Sequence, residues 1–235
     1  MIQAAPEIRQ ELAAIYRLYA ALSGGLDPVS TQGGKLLYAG ELNPDGCRLV
    51  RAANIAGAAT LAATPDPAVQ RRAIREGVVD FLVTSLDEAL RILKNEIRKR
   101  QAVAVAVATA PEAILAQMLE RGVLPDLLPP ASISSSHPPE FERFLDQGAR
   151  RLETEPPSPG RTFFACELPP SWAQRPAGFD ALLAAELPPE DHANRRWLRL
   201  SPRYIEPNAR RVRSLECDFE TASRLMVAAA EVIAE

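Results

Sequence analysis

From Ala102 to Ala108 the chain reads Ala-Val-Ala-Val-Ala-Val-Ala, apolar at every position. Successive strand residues point to opposite sides of a sheet, so this segment needs a covering layer on each side. That is the situation of a central strand in a parallel sheet with helices on both faces. The surrounding sequence agrees. From Lys35 onward, short apolar runs alternate with longer helical stretches, the pattern of repeated βα units. The runs predict strands at about 35–39, 59–64, 80–84, 102–108 and 126–128, with helices in the gaps. Ser85 can cap the helix that begins at Leu86. Asp87 and Glu88 lie at its positive end, and Lys94, Arg98 and Lys99 near its negative end. The expected fold class is α/β, a doubly wound and mostly parallel sheet.

Before this region, Ile8, Leu12, Ile15, Tyr19 and Leu22 recur at spacings of three and four, which predicts an amphipathic helix stopped by Gly24 and Gly25. After it the organisation changes, because 15 of the 21 prolines lie at or beyond Pro125, five Pro-Pro pairs among them. There the sequence predicts a Ser-rich loop at 131–137, a helix at 139–152 and a Pro-rich connection at 154–160. Strands are expected at Thr162–Glu167 and Arg196–Ser201, and a last amphipathic helix at about 219–234 with Leu225, Val232 and Ile233 on its buried stripe. The expected division is an N-terminal helix at 1–32, an α/β domain at 33–137 and a mixed α+β region at 138–235 packed on it.

Composition excludes several classes. With 47% hydrophobic residues, 24% charged and a net charge of −3, the chain is neither compositionally disordered nor basic enough to be held on nucleic acid. Cys47, Cys166 and Cys217 stand at no metal-ligand spacing and only two histidines exist, which argues against zinc sites and disulfide scaffolds. Buried, inert thiols are the expectation. No apolar run approaches membrane-spanning length, and the N-terminus lacks the order of a signal peptide, so a cytoplasmic protein away from membranes is expected.

Three segments carry a family likeness: Ala52-Ala53-Asn54-Ile55-Ala56-Gly57-Ala58, Thr84-Ser85-Leu86-Asp87-Glu88-Ala89-Leu90 and Leu119-Glu120-Arg121-Gly122-Val123-Leu124-Pro125-Asp126. With them, the stretch from Gly33 to His137 resembles the NAD-binding, Rossmann-like domain of urocanase (urocanate hydratase). The resemblance implies a dinucleotide fold. In the family, NAD acts as an electrophile that adds to the substrate's imidazole ring, and a large catalytic core built from both ends of a longer chain flanks the domain. No equivalent of that core is recognisable here, so NAD is expected only if the family's activity is retained, and otherwise no cofactor. Most of the matching residues are packing or turn residues, which bear on fold more than on function.

Four places correspond to the cofactor site. A dinucleotide turn needs glycines, so that backbone N–H groups approach the pyrophosphate at a helix N-terminus. This chain has Gly40-Glu41-Leu42-Asn43-Pro44-Asp45-Gly46, with two carboxylates beside the expected phosphates and one N–H removed at Pro44. A surface loop with Gly40 and Gly46 as turn glycines is the preferred reading. The acidic residue that should bond the ribose hydroxyls is replaced by Thr64, and Thr64-Pro65-Asp66-Pro67 reads as the capped start of a helix. The family's Gly-Asn turn becomes Thr109-Ala110-Pro111, where Thr109 is expected to cap a helix. Its Thr-Ser-Ala-His run falls on Ser134, Ser135, Ser136 and His137, which could bind a small anion or polar ligand, with a flexible linker the preferred reading. Gly57 is expected inside a helix, serving close packing.

Arg195, Arg196, Arg199, Arg203, Arg210, Arg211 and Arg213 crowd into 19 residues with Glu206 as the one acid. On a net-acidic chain a subunit interface or a rim of salt bridges is preferred to a nucleic-acid patch. His192 is expected in an exposed loop. Three functions remain open. They are a non-catalytic urocanase-like protein with a small-ligand crevice, a urocanase-type hydro-lyase or one subunit of it, and a pure interaction module that uses its basic C-terminal strands; a homo-oligomer is one expected partnership.

Overall fold

The computed structural model describes residues 4–24, 26, 31–133, 138–156 and 158–234. Six strands, β1 (Leu36–Glu41), β2 (Ala59–Ala63), β3 (Phe81–Val83), β4 (Val103–Val107), β5 (Leu127–Leu128) and β6 (Arg150–Arg151), form one sheet in the order β3-β4-β2-β1-β5-β6. Every pairing in it is parallel. From β1 the chain adds β2 beside it and β3 at the far edge, returns to place β4 between those two, then crosses to the other side for β5 and β6. The switch point of this doubly wound α/β sheet therefore lies between β1 and β5.

The alternation in β4 is one of size. Ala104 and Ala106 face a core layer with Ala52, Ala53 and Ala56 of α2 (Pro44–Ala56), with α1 (Pro6–Ser23) and with Ala73 of α3 (Pro67–Arg75). Val103, Val105 and Val107 face the opposite layer, with Leu86, Ala89 and Leu93 of α4 (Leu86–Lys99). Ile114, Leu115 and Met118 of α5 (Pro111–Glu120), and Phe141 and Phe144 of α6 (Pro139–Asp146), complete that layer. Alanines on one face let helix backbone approach the sheet closely, while valines on the other fill the space under longer side chains. Local signals set the helix starts. Ser85 accepts from the Glu88 N–H at 3.3 Å, Asp66 from Ala68 N–H at 2.7 Å and Asn43 from Gly46 N–H at 2.9 Å.

The C-terminal region contains β7 (Arg161–Glu167), α7 (Pro176–Ala185), α8 (His192–Tyr204), β8 (Val212–Asp218) and α9 (Phe219–Ala234). β7 and β8 pair antiparallel as a separate two-stranded sheet. The core layer under α1 and α2 runs on into Phe164, Phe179, Leu183, Trp197, Leu215 and Leu225 of this region. Trp197 is fully buried, its ring centroid 5.0 Å from that of Tyr16 and 5.3 Å from that of Tyr19. Its indole N–H donates to the Ser214 carbonyl at 2.5 Å, and Tyr16 donates to Asn194 Oδ1 at 2.7 Å. One apolar layer thus joins α1, α8 and β8.

Several sequence expectations are corrected. Arg196–Ser201 is not a strand but the middle of α8. Asn194, Trp197, Leu198 and Ser201 are its buried residues, at helical spacing, and the five-residue alternation there is incidental. The strand that pairs with β7 is β8. The helix expected over 139–152 ends at Asp146, and Arg150–Arg151 returns as a sixth parallel strand. Gly57 is not inside a helix but caps α2 with φ +93°, a left-handed conformation that favours glycine. His192 begins α8 half-buried rather than lying in an exposed loop. Leu225 is buried as expected, while Val232 and Ile233 lie outside the residues whose side chains are described.

Candidate functional site

At the carboxyl ends of β1 and β5 the sheet opens into a crevice of about 490 Å³. Tyr38, Gly40 and Glu41 of β1 form one wall, with Asn43 beyond them; Pro111, Glu112 and Leu115 of α5 and Pro139, Glu140 and Phe141 of α6 form the others. Ligands of open α/β sheets sit at such a switch point. Tyr38 is buried and packs edge-on against Phe141, with centroids 6.1 Å apart, and its hydroxyl donates to the Pro111 carbonyl at 3.1 Å. Burial first, then Glu112 and Glu140, raise the tyrosine's pKa, so it stays a neutral donor. Three carboxylates, Glu41, Glu112 and Glu140, line the crevice, and none of its described lining residues is lysine, arginine or histidine.

Gly40 and Gly46 do different work. Gly40 lies within β1 at a register shift against β2 and has φ +79°, so it is a bulge residue in the crevice wall. The expectation that Gly46 sits in a surface turn is corrected. It lies in the first turn of α2, where an added Cβ would overlap the Glu41 carbonyl oxygen. Its role is close approach of helix to strand. Asn43 occupies the N-cap, Pro44 supplies no donor, and Asp45 pairs with Arg48 at 2.6 Å. Arg48 also holds Glu11 of α1 at 2.6 Å.

Thr64 and Thr109 lie at the same sheet edge, after β2 and β4, but neither lines the crevice. Thr64 is buried; its hydroxyl accepts from Asp66 N–H at 3.4 Å and its carbonyl from Gln70 Nε2 at 2.9 Å, so it serves the turn into α3. Thr109 is not the cap of α5. That position is Ala110, with no side-chain cap bond. Ser134, Ser135, Ser136 and His137 lie outside the described residues. The sequence reading missed Tyr38, Glu112, Glu140 and Phe141. A signal for the two glutamates was present, since Pro111-Glu112 and Pro139-Glu140 open helices at the carboxyl edge of a parallel sheet, where first-turn side chains border the crevice.

The arginine cluster is spent largely on the chain's own groups. Arg213 is buried and bonded to Asp180 of α7, and its Nη1 donates to the Arg210 carbonyl at 2.8 Å. Arg195 and Arg211 donate to the carbonyls of Leu187 and Leu168 at 2.8 and 3.3 Å. Cys166 and Cys217 are buried, and burial pushes their thiols up to about 12 and about 11. Cys47 is half-buried. Among the described residues, no His, Cys, Asp or Glu group is placed to hold a metal ion, and no helix is long and apolar enough to cross a membrane.

Residues 31–148, half of the chain, match the model of the urocanase Rossmann-like domain. The chain belongs to the urocanase family. The matched stretch runs from just before β1 through α6. Of the three urocanase-like segments in the sequence, two lie at the amino edge of the sheet, opposite the crevice: Ala52–Ala58 turns from α2 into β2, and Leu119–Asp126 from α5 into β5. Asp126 fastens that edge by accepting from Leu36 N–H at 2.8 Å and Lys35 Nζ at 2.9 Å. The third segment, Thr84–Leu90, opens α4, and its Glu88 accepts from Thr84 N–H at 3.0 Å. The urocanase likeness therefore resides chiefly in residues that fold the sheet.

Proposed function

We propose that this urocanase-family chain is a non-catalytic Rossmann protein whose switch-point crevice takes a small neutral or cationic ligand in place of a dinucleotide. One observation carries the reading. Three helices around the crevice begin with proline followed by a carboxylate, Pro44-Asp45 in α2, Pro111-Glu112 in α5 and Pro139-Glu140 in α6. Proline removes a free N–H that could meet a phosphate, and the following carboxylate complements the positive helix end from within the protein. Asn43 takes up a further N–H of α2, that of Gly46.

A pyrophosphate brought to the end of β1 would meet Glu41, with Glu112 and Glu140 on the facing walls and no cation among the described lining residues to offset them. At a separation of about 7 Å and an effective dielectric of about 20, each pair of like charges costs about 2 kcal/mol. The residues present do not suit NAD, and the family's chemistry, which requires it, has no support from this crevice. A neutral or cationic molecule meets the opposite field and an aromatic wall of Tyr38 and Phe141.

The expected result in an assay that follows loss of urocanate absorbance, with NAD added, is no turnover. NAD-dependent turnover would overturn the reading.

A further inference from the structure

The two edges of the large sheet are unlike. β6, at one edge, is Arg150-Arg151, and charge on an edge strand discourages further pairing. β3, at the other edge, is Phe81-Leu82-Val83, apolar on both faces as an interior parallel strand is, yet β4 is its one partner among the described residues. Phe81 is 46% exposed and Leu82 37%, with Ile74 of the neighbouring α3 at 44%. Register assigns their sides: Phe81 pairs with Val105 and points toward the α4 layer, while Leu82 pairs with Ala106 and points toward the α3 layer. Exposed apolar groups therefore flank one free strand edge above and below the sheet.

We propose that this edge binds a second copy of the chain, β3 against β3 antiparallel about a two-fold axis perpendicular to the sheet, giving one continuous sheet across the dimer. A strand addition makes use of unpaired backbone groups, and a two-fold axis makes the patch its own complement. Charge favours the same arrangement. α3, whose main sheet contact is β3, has Asp66 at its start and Arg72 and Arg75 in its last turn, so the antiparallel neighbour across the axis sets acidic end beside basic end. Parallel apposition would set like charges together at both ends. Because β3 has only three residues, the side chains of Ile74, Phe81 and Leu82 carry most of the association.

Sedimentation of the full chain over a series of micromolar concentrations tests this. The expected result is a concentration-dependent dimer whose association is weakened about tenfold or more by Leu82→Lys and by Ile74→Lys, two exposed positions, with the circular-dichroism melt still cooperative. Arg150→Ala, at the opposite edge, leaves association unchanged. A wild-type chain that stays monomeric, a dimer indifferent to both lysine variants, or a dimer lost with Arg150→Ala would each overturn the proposal.

Discussion

Trp197→Ala lowers the stability of the fold by about 3–5 kcal/mol, read as a shift in the urea unfolding midpoint at unchanged slope. The indole is fully buried where α1, α8 and β8 meet, so its removal opens a cavity that Tyr16 and Tyr19 on α1 cannot fill by rotation without breaking their hydrogen bonds to Asn194 Oδ1 and the Ala193 carbonyl. The Ser214 carbonyl also loses its donor in a buried setting. Trp197→Phe, which keeps a ring and loses the N–H, falls between the two proteins. Trp197→Ala with a loss below about 1 kcal/mol would mean that the C-terminal layer does not share a core with α1.

Arg213→Ala costs about 3 kcal/mol, because it leaves Asp180 charged against an apolar layer without its partner. This variant has a pH signature. Burial raises the Asp180 carboxyl above its ordinary value in the folded protein, while Arg213 pulls it down; without Arg213 it rises further. A carboxyl whose folded pKa exceeds its unfolded value contributes stability below the unfolded value and loses it as pH rises through the folded one. The deficit of Arg213→Ala relative to the unmodified chain therefore shrinks as pH falls from neutral toward the carboxylate range. Parallel urea curves at several pH values check this, and a deficit that grows on acidification would contradict it.

Arg213 also shows where the sequence was legible and where it was not. Ala102–Ala108 announced a central strand because both of its faces are apolar, and the starts at Ser85 and Asp66 were readable because each cap acts within three residues. Arg213 read as part of a basic surface. Its partner lies on α7, a helix with no polar face sharp enough to predict, and β8 contains Arg213, Ser214 and Glu216, which broke the apolar run expected of a strand. α8 was misread because five residues of alternation fit a strand as well as they fit one turn and a half of helix. β6 is two arginines long and leaves no pattern. At the crevice, the altered glycine turn could be read from Glu41, Pro44 and Asp45, but the work of Gly46 could not, since the overlap its missing Cβ avoids is with a carbonyl five residues back.

In the proposed function, the acidic helix starts around the crevice, each led by proline, leave no place for a dinucleotide. Isothermal titration of NAD into the protein at low salt, where electrostatic repulsion is least screened, tests it most directly. No saturable heat is expected at millimolar NAD. Saturable binding in the micromolar range, lost on Gly40→Val, would contradict it.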